Sequence, residues 1–212
     1  MKYLTTYMLQ SGEEGTSLLL QQYSCRGIPV CFACLCTCGE ENREAGRYIT
    51  GQLYSWCRSF PWHKAVRKPE KWMEQAEREL EKKIKQSLDY MGSKGMVIRS
   101  TKVNWRILLC MEEEVLMLGN GQEAYLLYMS LGKGIVKRLG NSFRGALEPG
   151  AGILLLEKAV NQEEEKELGE VLQLSGLETE EQAARHLGEY AKKAAEKIPA
   201  AIMLLTKEDN YE

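Results

Sequence analysis

The sequence has no long apolar run, no segregated block of charge and, in its most organised turn, no aspartate. Its apolar stretches fall well short of the roughly 20 residues that span a bilayer as a helix, which excludes a transmembrane segment. The opening MKYLTTYMLQ has no apolar core of the kind a secretory signal carries, so a cytoplasmic protein is expected. The net charge is −2 and the isoelectric point near 5.9, with Lys and Arg interleaved with Glu along the helical stretches. That balance argues against nucleic acid or an anionic membrane as the main partner. There are only two histidines, His63 and His186, and neither has an acid or nucleophile close in sequence, so neither is a catalytic candidate. Low-complexity segments and fixed-period repeats are also missing, which points to one domain over residues 1–207 and a polar tail, 208–212.

The composition is otherwise globular: 44% hydrophobic and 27% charged in 212 residues, enough to build a core without staples. The seven cysteines (25, 31, 34, 36, 38, 57 and 110) are an odd number, and with no export signal they read as thiols in a reducing compartment. Four of them fall in the stretch PVCFACLCTCGEENREAG, Pro29 to Gly46, which reads as a buried strand, a small-residue turn from Cys36 to Glu40 and the start of a helix near Glu44. Turns between a strand and a helix expose backbone N–H and C=O groups, and many α/β proteins place their chemistry there.

Periodicity supplies the rest. Residues 2–9 and 17–23 read as strands joined by SGEEG as a hairpin. Ala45, Ile49, Leu53, Trp56, Cys57 and Phe60 make one helical stripe that ends before Pro61. Pro69 opens a longer helix with Met73, Ala76, Leu80, Ile84, Leu88 and Met91 on one face and a stop at Gly92, with Ser93 to Gly95 completing the break. Short strands follow at 97–99, 103–110, 115–118, 124–129 and 135–138, then a loop from Gly140 to Gly152 and a strand at 153–156. Asn161 caps a helix to about Leu174, Thr179 with Gln182 forms a capping box for a helix to Lys197, and a strand closes the chain from Ala201. Two helix pairs separated by strand runs imply an α+β protein: an α–β–β–α sandwich of two packed antiparallel sheets flanked by helix pairs.

At this level the chain resembles the PPM-type (type 2C) metal-dependent Ser/Thr protein phosphatases. The family's F-A-V-x-D-G-M-G-G, then E-A-G, is similar to Phe32 through Glu40, then Glu44-Ala45-Gly46. Its V-G-D-S-R-A-Y-L hairpin is similar to the run from Gly119 to Leu126, and its G-D-x-L-L-L-C-S-D-G-L to the run from Gly152 to Val160. The resemblance implies two Mg²⁺ or Mn²⁺ ions held by Asp carboxylates around a nucleophilic water. Carried over, those carboxylate positions fall near Thr16, at Cys36, at Lys158 and at Ile198 or Pro199, and the phosphate-binding Arg falls near Ser11. Gly39 alone keeps its counterpart's capacity, through a backbone carbonyl. A thiol, an ammonium group and an alkyl group supply no hard anionic oxygen. Lys158 also adds a repulsion of roughly several kcal/mol toward dications at an effective dielectric near 20.

The resemblance therefore implies a degenerate, catalytically inactive domain, without metal cofactors, that acts by protein–protein interaction in Ser/Thr phosphorylation signalling. Its partner would be a Ser/Thr kinase or a phosphoprotein, and Lys158 is the candidate phosphate-binding residue, set against a plain surface lysine at a helix entry. Two alternatives stand beside this. An active divergent phosphatase with Mg or Mn would need Glu13 or Glu14, Glu40 and Glu157 to converge. A cysteine-cluster metal or redox protein would use Cys31, Cys34, Cys36 and Cys38, with strand alternation placing the last three on one face and Cys31 opposite; packing of small buried side chains explains the same pattern. Cys36 as a phosphatase nucleophile would need a phosphate-cradling loop, and the acid-rich CTCGEENR is not one. Gly119 and Gly121 read as a hairpin turn, and Trp56, Trp62 and Trp72 as packing around the junction of the first two helices.

Overall fold

The computed structural model describes residues 5–10, 16–38, 43–59, 69–96, 103–111, 114–120, 126–130, 135–139, 142–146, 151–156, 161–163, 166, 185 and 200–205. Among these residues, strands and helices follow in the order β1 (Thr5–Gln10), β2 (Thr16–Cys25), β3 (Ile28–Thr37), α1 (Arg43–Ser59), α2 (Pro69–Ser93), β4 (Asn104–Met111), β5 (Glu114–Gly119), β6 (Leu126–Ser130), β7 (Ile135–Leu139), β8 (Phe143–Ala146), β9 (Ala151–Leu156) and β10 (Ala200–Leu205). They make two five-stranded antiparallel sheets, ordered β1-β10-β9-β6-β7 and β2-β3-β4-β5-β8.

The second sheet is apolar on both faces, and its central strands show why. β3 is buried from Val30 to Cys36 and β4 from Trp105 to Cys110, near-continuous runs with little polar alternation. One face packs against the first sheet, with Cys31, Ala33, Leu35, Leu108, Cys110, Val115 and Met117 meeting Ile153 and Leu155 of β9. The other face holds Val30, Phe32, Cys34, Cys36, Trp105, Ile107, Leu109, Leu116 and Leu118 under the stripe of α1 and α2, from Ala45 and Ile49 to Leu80 and Ile84. This is the α+β sandwich that the element order implied, seen from its first helix pair inward. The expected helices at 161–174 and 179–197 lie almost wholly outside the described residues; Gln162, Glu163, Lys166 and Arg185 are helical. The expected strand at 97–99, and Trp62, lie outside them too.

Three local expectations change. Residues 2–9 and 17–23 are not a hairpin: β1 pairs with β10 in one sheet and β2 with β3 in the other, so the segment between them crosses from sheet to sheet. The hairpin is one connection later, between β2 and β3, where Arg26 (φ 55°) and Gly27 (φ 84°) form a two-residue turn of the mirror-image type that matches strand twist. The stop of α2 is Gly95 rather than Gly92: Gly95 takes φ 81°, and the Met96 N–H returns to the Met91 carbonyl at 3.2 Å. Finally, the loop read from Gly140 to Gly152 contains β8, which pairs with β5 from Phe143 to Ala146.

Candidate functional site

The C-terminal end of β3 gathers a cluster of polar and thiol side chains among the described residues. Strand register fixes the arrangement: Ser17 of β2, Cys36 of β3 and Trp105 of β4 stand side by side in one row. Ser17, Cys36 and Cys38 belong to the helix side of the sheet, where Leu19, Cys34 and Phe32 also pack. Thr50 of α1 closes over this row. Its hydroxyl donates to the Arg47 carbonyl at 2.9 Å, so the Ser17 hydroxyl, 3.2 Å away, is left as the donor to Thr50 Oγ1. Two buried hydroxyls are thereby satisfied by one another and by a turn of helix.

Beside them Cys36 and Cys38 approach with their sulfurs 3.7 Å apart. The hydrogen bond with Cys38 and the loss of solvent both hold the Cys36 thiol well above its usual range. The same hydrogen bond pulls Cys38 down, against the opposing effect of burial. Cys36 therefore holds its proton more tightly than Cys38, and the two thiols share one hydrogen bond. Burial pushes Cys34 and Cys57, in the same layer, well up, and on the opposite face it raises Cys31 to about 11 and Cys110 further. No disulfide links the seven cysteines.

Of the positions at which the resemblance places lost carboxylates, Thr16 and Cys36 are described; Lys158 lies outside the described residues, as does Gly39, the position that keeps its counterpart's capacity. So do Ser11, Glu13, Glu14, Glu40, Glu157, Ile198 and Pro199. Thr16 opens β2 and shares the intersheet face with Leu18 and Leu20, whereas Cys36 lies on the helix face. The two positions are neighbours along the sheet edge but point to opposite layers. A Mg²⁺ or Mn²⁺ ion needs several oxygen donors on one side of a cavity. A buried thiol and a threonine hydroxyl on opposite faces do not fit it, and among the described residues no group of three or more His, Cys, Asp or Glu is placed to hold a metal.

Two residues stand out in the structure that the sequence reading passed over. Arg106 is a charged side chain buried to 1% exposure. It lies on the intersheet face between Leu35 and Gly119, and burial lowers its guanidinium to about 10, so it remains a cation at neutral pH. The signal was a single Arg inside the apolar run from Val103 to Cys110. Asn120 is the other. Its side-chain amide accepts from the Trp105 N–H and donates to the Val103 carbonyl, both at 3.0 Å, so it extends the β4–β5 ladder one rung past Gly119.

No protein-family model and no curated protein sequence matches the chain. Its three-dimensional arrangement does have counterparts. It is similar to a bacterial serine phosphatase (TM-score 0.67, 13% identity, 98% of this chain and 100% of the other). The fold is that of the PP2C-type phosphatases. The serine/threonine phosphatase Stp1 from Staphylococcus aureus superposes over 98% of this chain and 96% of its own (TM-score 0.64, 11% identity). The Mycobacterium tuberculosis serine/threonine phosphatase PstP/Ppp does so over 98% and 100% (TM-score 0.60, 10% identity). The PP2C-type architecture thus covers nearly the whole chain at an identity where the arrangement survives and individual side chains have drifted. Among the described residues, no helix is long and apolar enough to cross a membrane.

Proposed function

We propose that this PP2C-fold domain acts by binding another protein, in a Ser/Thr phosphorylation circuit of the cytoplasm, and does not hydrolyse phosphoesters itself. The observation that carries the reading is Cys36. At the place where the resemblance puts a metal carboxylate stands a thiol with no solvent exposure, packed among Cys34, Phe32 and the α1 stripe. A thiol there supplies no anionic oxygen to hold a hard dication. The whole chain agrees in composition, since it contains only two aspartates, Asp89 and Asp209. Asp89 sits on the exposed side of α2, far along the sequence from every position the resemblance assigns.

The partner in this reading is a Ser/Thr kinase or a phosphoprotein, as befits the fold of proteins named serine/threonine phosphatases. Lys158 is the residue proposed to meet a phosphate, through a point-charge contact where two dications would otherwise stand. The test is hydrolysis of p-nitrophenyl phosphate by the full chain with Mn²⁺, alongside calorimetric titration of Mn²⁺. No turnover and no heat of binding are expected. Turnover that depends on Mn²⁺ would reverse the reading in favour of an active divergent phosphatase whose ligands are Glu13 or Glu14, Glu40 and Glu157.

A further inference from the structure

Four thiols share the layer between the second sheet and the helices, and they are not equivalent. Cys34, Cys36, Cys38 and Cys57 all belong to it. Cys36 is locked inside β3, with Ser17 on one side and Trp105 on the other. Cys38 comes one residue after the strand's registers end at Thr37, where the chain leaves the sheet. The two sulfurs stand 3.7 Å apart. In an extended strand, residues two apart separate their Cα atoms by about 6.6 Å, the upper edge of what a disulfide spans. A chain that is already departing from the sheet can close that gap; one held by rungs on both sides cannot. We propose that Cys36 and Cys38 form an oxidisable dithiol that closes to a disulfide on meeting a hydroperoxide.

The roles follow from position. Cys36 is held by rungs on both sides, while Cys38 lies past the last rung and is the thiol that meets the peroxide, reacting as its thiolate. The Cys38 thiolate attacks one oxygen of the peroxide; the O–O bond breaks, hydroxide leaves and takes up a proton as water, and Cys38 becomes a sulfenic acid. The Cys36 sulfur then attacks the Cys38 sulfur; the S–S bond forms, the S–O bond breaks, and the Cys36 proton leaves with the oxygen as a second water. In sum, two thiols lose two electrons and two protons, and one peroxide becomes two waters. The side chains are 0% and 1% exposed, which favours a co-reactant close to water in size, such as hydrogen peroxide, over a bulky disulfide. Closing the ring shortens the Cys36–Cys38 segment and pulls Thr37 out of its rung with Thr16 and Asn104. The oxidised state would loosen the end of β3. This chemistry stands whether or not the domain hydrolyses phosphoesters.

The test uses the full chain treated with a few equivalents of hydrogen peroxide near neutral pH, then intact mass and non-reducing peptide mapping. The expected product is lighter by about 2 Da, the two hydrogens lost, and is restored by dithiothreitol. Fragmentation of the tryptic peptide spanning residues 27–43 should place the bond between Cys36 and Cys38. Amide exchange at Thr37 and Asn104 should speed up in the oxidised protein. Cys36→Ala should leave a sulfenic acid at Cys38 that dimedone traps, and Cys38→Ala should give neither product. A bond mapped to Cys31 and Cys110, or a Cys38 unchanged while the protein remains folded, overturns the proposal. The wild-type map decides it even if both variants fail to fold.

Discussion

Asn120 holds the backbone of Trp105 from both directions: the Trp105 N–H donates to its side-chain oxygen at 3.0 Å, and its own N–H donates to the Trp105 carbonyl at 3.3 Å. The side chain stands in for a missing strand residue, because it also satisfies the Val103 carbonyl. Trp105 is the neighbour of Cys36 across β3 and β4, so this clasp also sets one wall of the candidate site.

Asn120→Ala removes both side-chain bonds and leaves a buried N–H and a buried C=O near the sheet end without their partner. A loss of about 1–3 kcal/mol is expected. Urea unfolding should show it as a lower midpoint with an unchanged slope. Asn120→Asp should do at least as badly, since a carboxylate cannot donate to the Val103 carbonyl and repels it. A midpoint within error of wild type for both variants would remove the clasp from the account.

Gly119 is the second constraint on this corner. A Cβ built there would meet the Trp105 carbonyl oxygen at 2.7 Å and the Arg106 Cγ at 2.9 Å. The carbonyl is held by Asn120, and the Arg106 stem is packed between sheets, so neither can yield freely. Gly119→Ala should cost about 1–3 kcal/mol, as overpacking does in a tight interior, and the same substitution at half-buried Gly51, where nothing lies within 4 Å of the added carbon, should not. Parallel thermal melts of the two variants separate the effects.

Much of this corner was legible in the sequence, though for different reasons. Turn chemistry flagged Gly119 as the end of a strand, but only the distance to the Trp105 carbonyl explains why the residue is glycine. Alternation along β3 put Cys34, Cys36 and Cys38 on one face and Cys31 on the other, and the packing agrees. The SGEEG segment misled because a polar, glycine-bounded link serves equally to reverse a strand and to carry it to another sheet; the pairing partner, β10, lies almost the whole chain away. β8 was missed because Arg144 and Gly145 break its apolar pattern. As an edge strand it is held in part by the Arg144–Glu114 ion pair, at 2.6 Å, which no local pattern announces. The resemblance singles out Thr16 and Cys36, but that they face opposite layers depends on the register between β2 and β3, which periodicity leaves open by one residue.

Alkaline pH should weaken the fold through its buried thiols. Cys31 is raised by burial to about 11, and Cys34, Cys36, Cys57 and Cys110 are raised as well. In the unfolded chain these thiols ionise near the ordinary value of 9.0. Above it the unfolded state binds fewer protons than the folded one, so stability falls as pH rises. The contribution is intact below about pH 8 and is lost progressively through pH 11, with a slope approaching about 1.4 kcal/mol per pH unit for each thiol involved. Urea midpoints at pH 7.5, 8.5 and 9.5, all under reductant, measure it. A flat profile would mean the thiols are more hydrated than their packing indicates.

Placing at Cys36 the carboxylate that the resemblance assigns there gives the sharpest contrast between a metal site and a core position. Cys36→Asp places an ionisable group in a position with no exposure, between Ser17 and Trp105 and beneath α1. If the position were only a metal site short of one ligand, Mn²⁺ would bind the variant, raise its melting temperature with concentration and bring phosphatase activity with it. The packing predicts the opposite. The new side chain replaces the thiol that hydrogen-bonds Cys38 and must stay protonated or draw in water, at a cost of several kcal/mol. The variant should melt well below wild type, more so at pH 8 than at pH 5, because raising the pH ionises the carboxyl only in the unfolded chain. Mn²⁺ should leave both melting temperatures unchanged. Rescue of the variant by Mn²⁺ would mean that the end of β3 can open to hold a hard cation, and the inactive reading would then have to be abandoned.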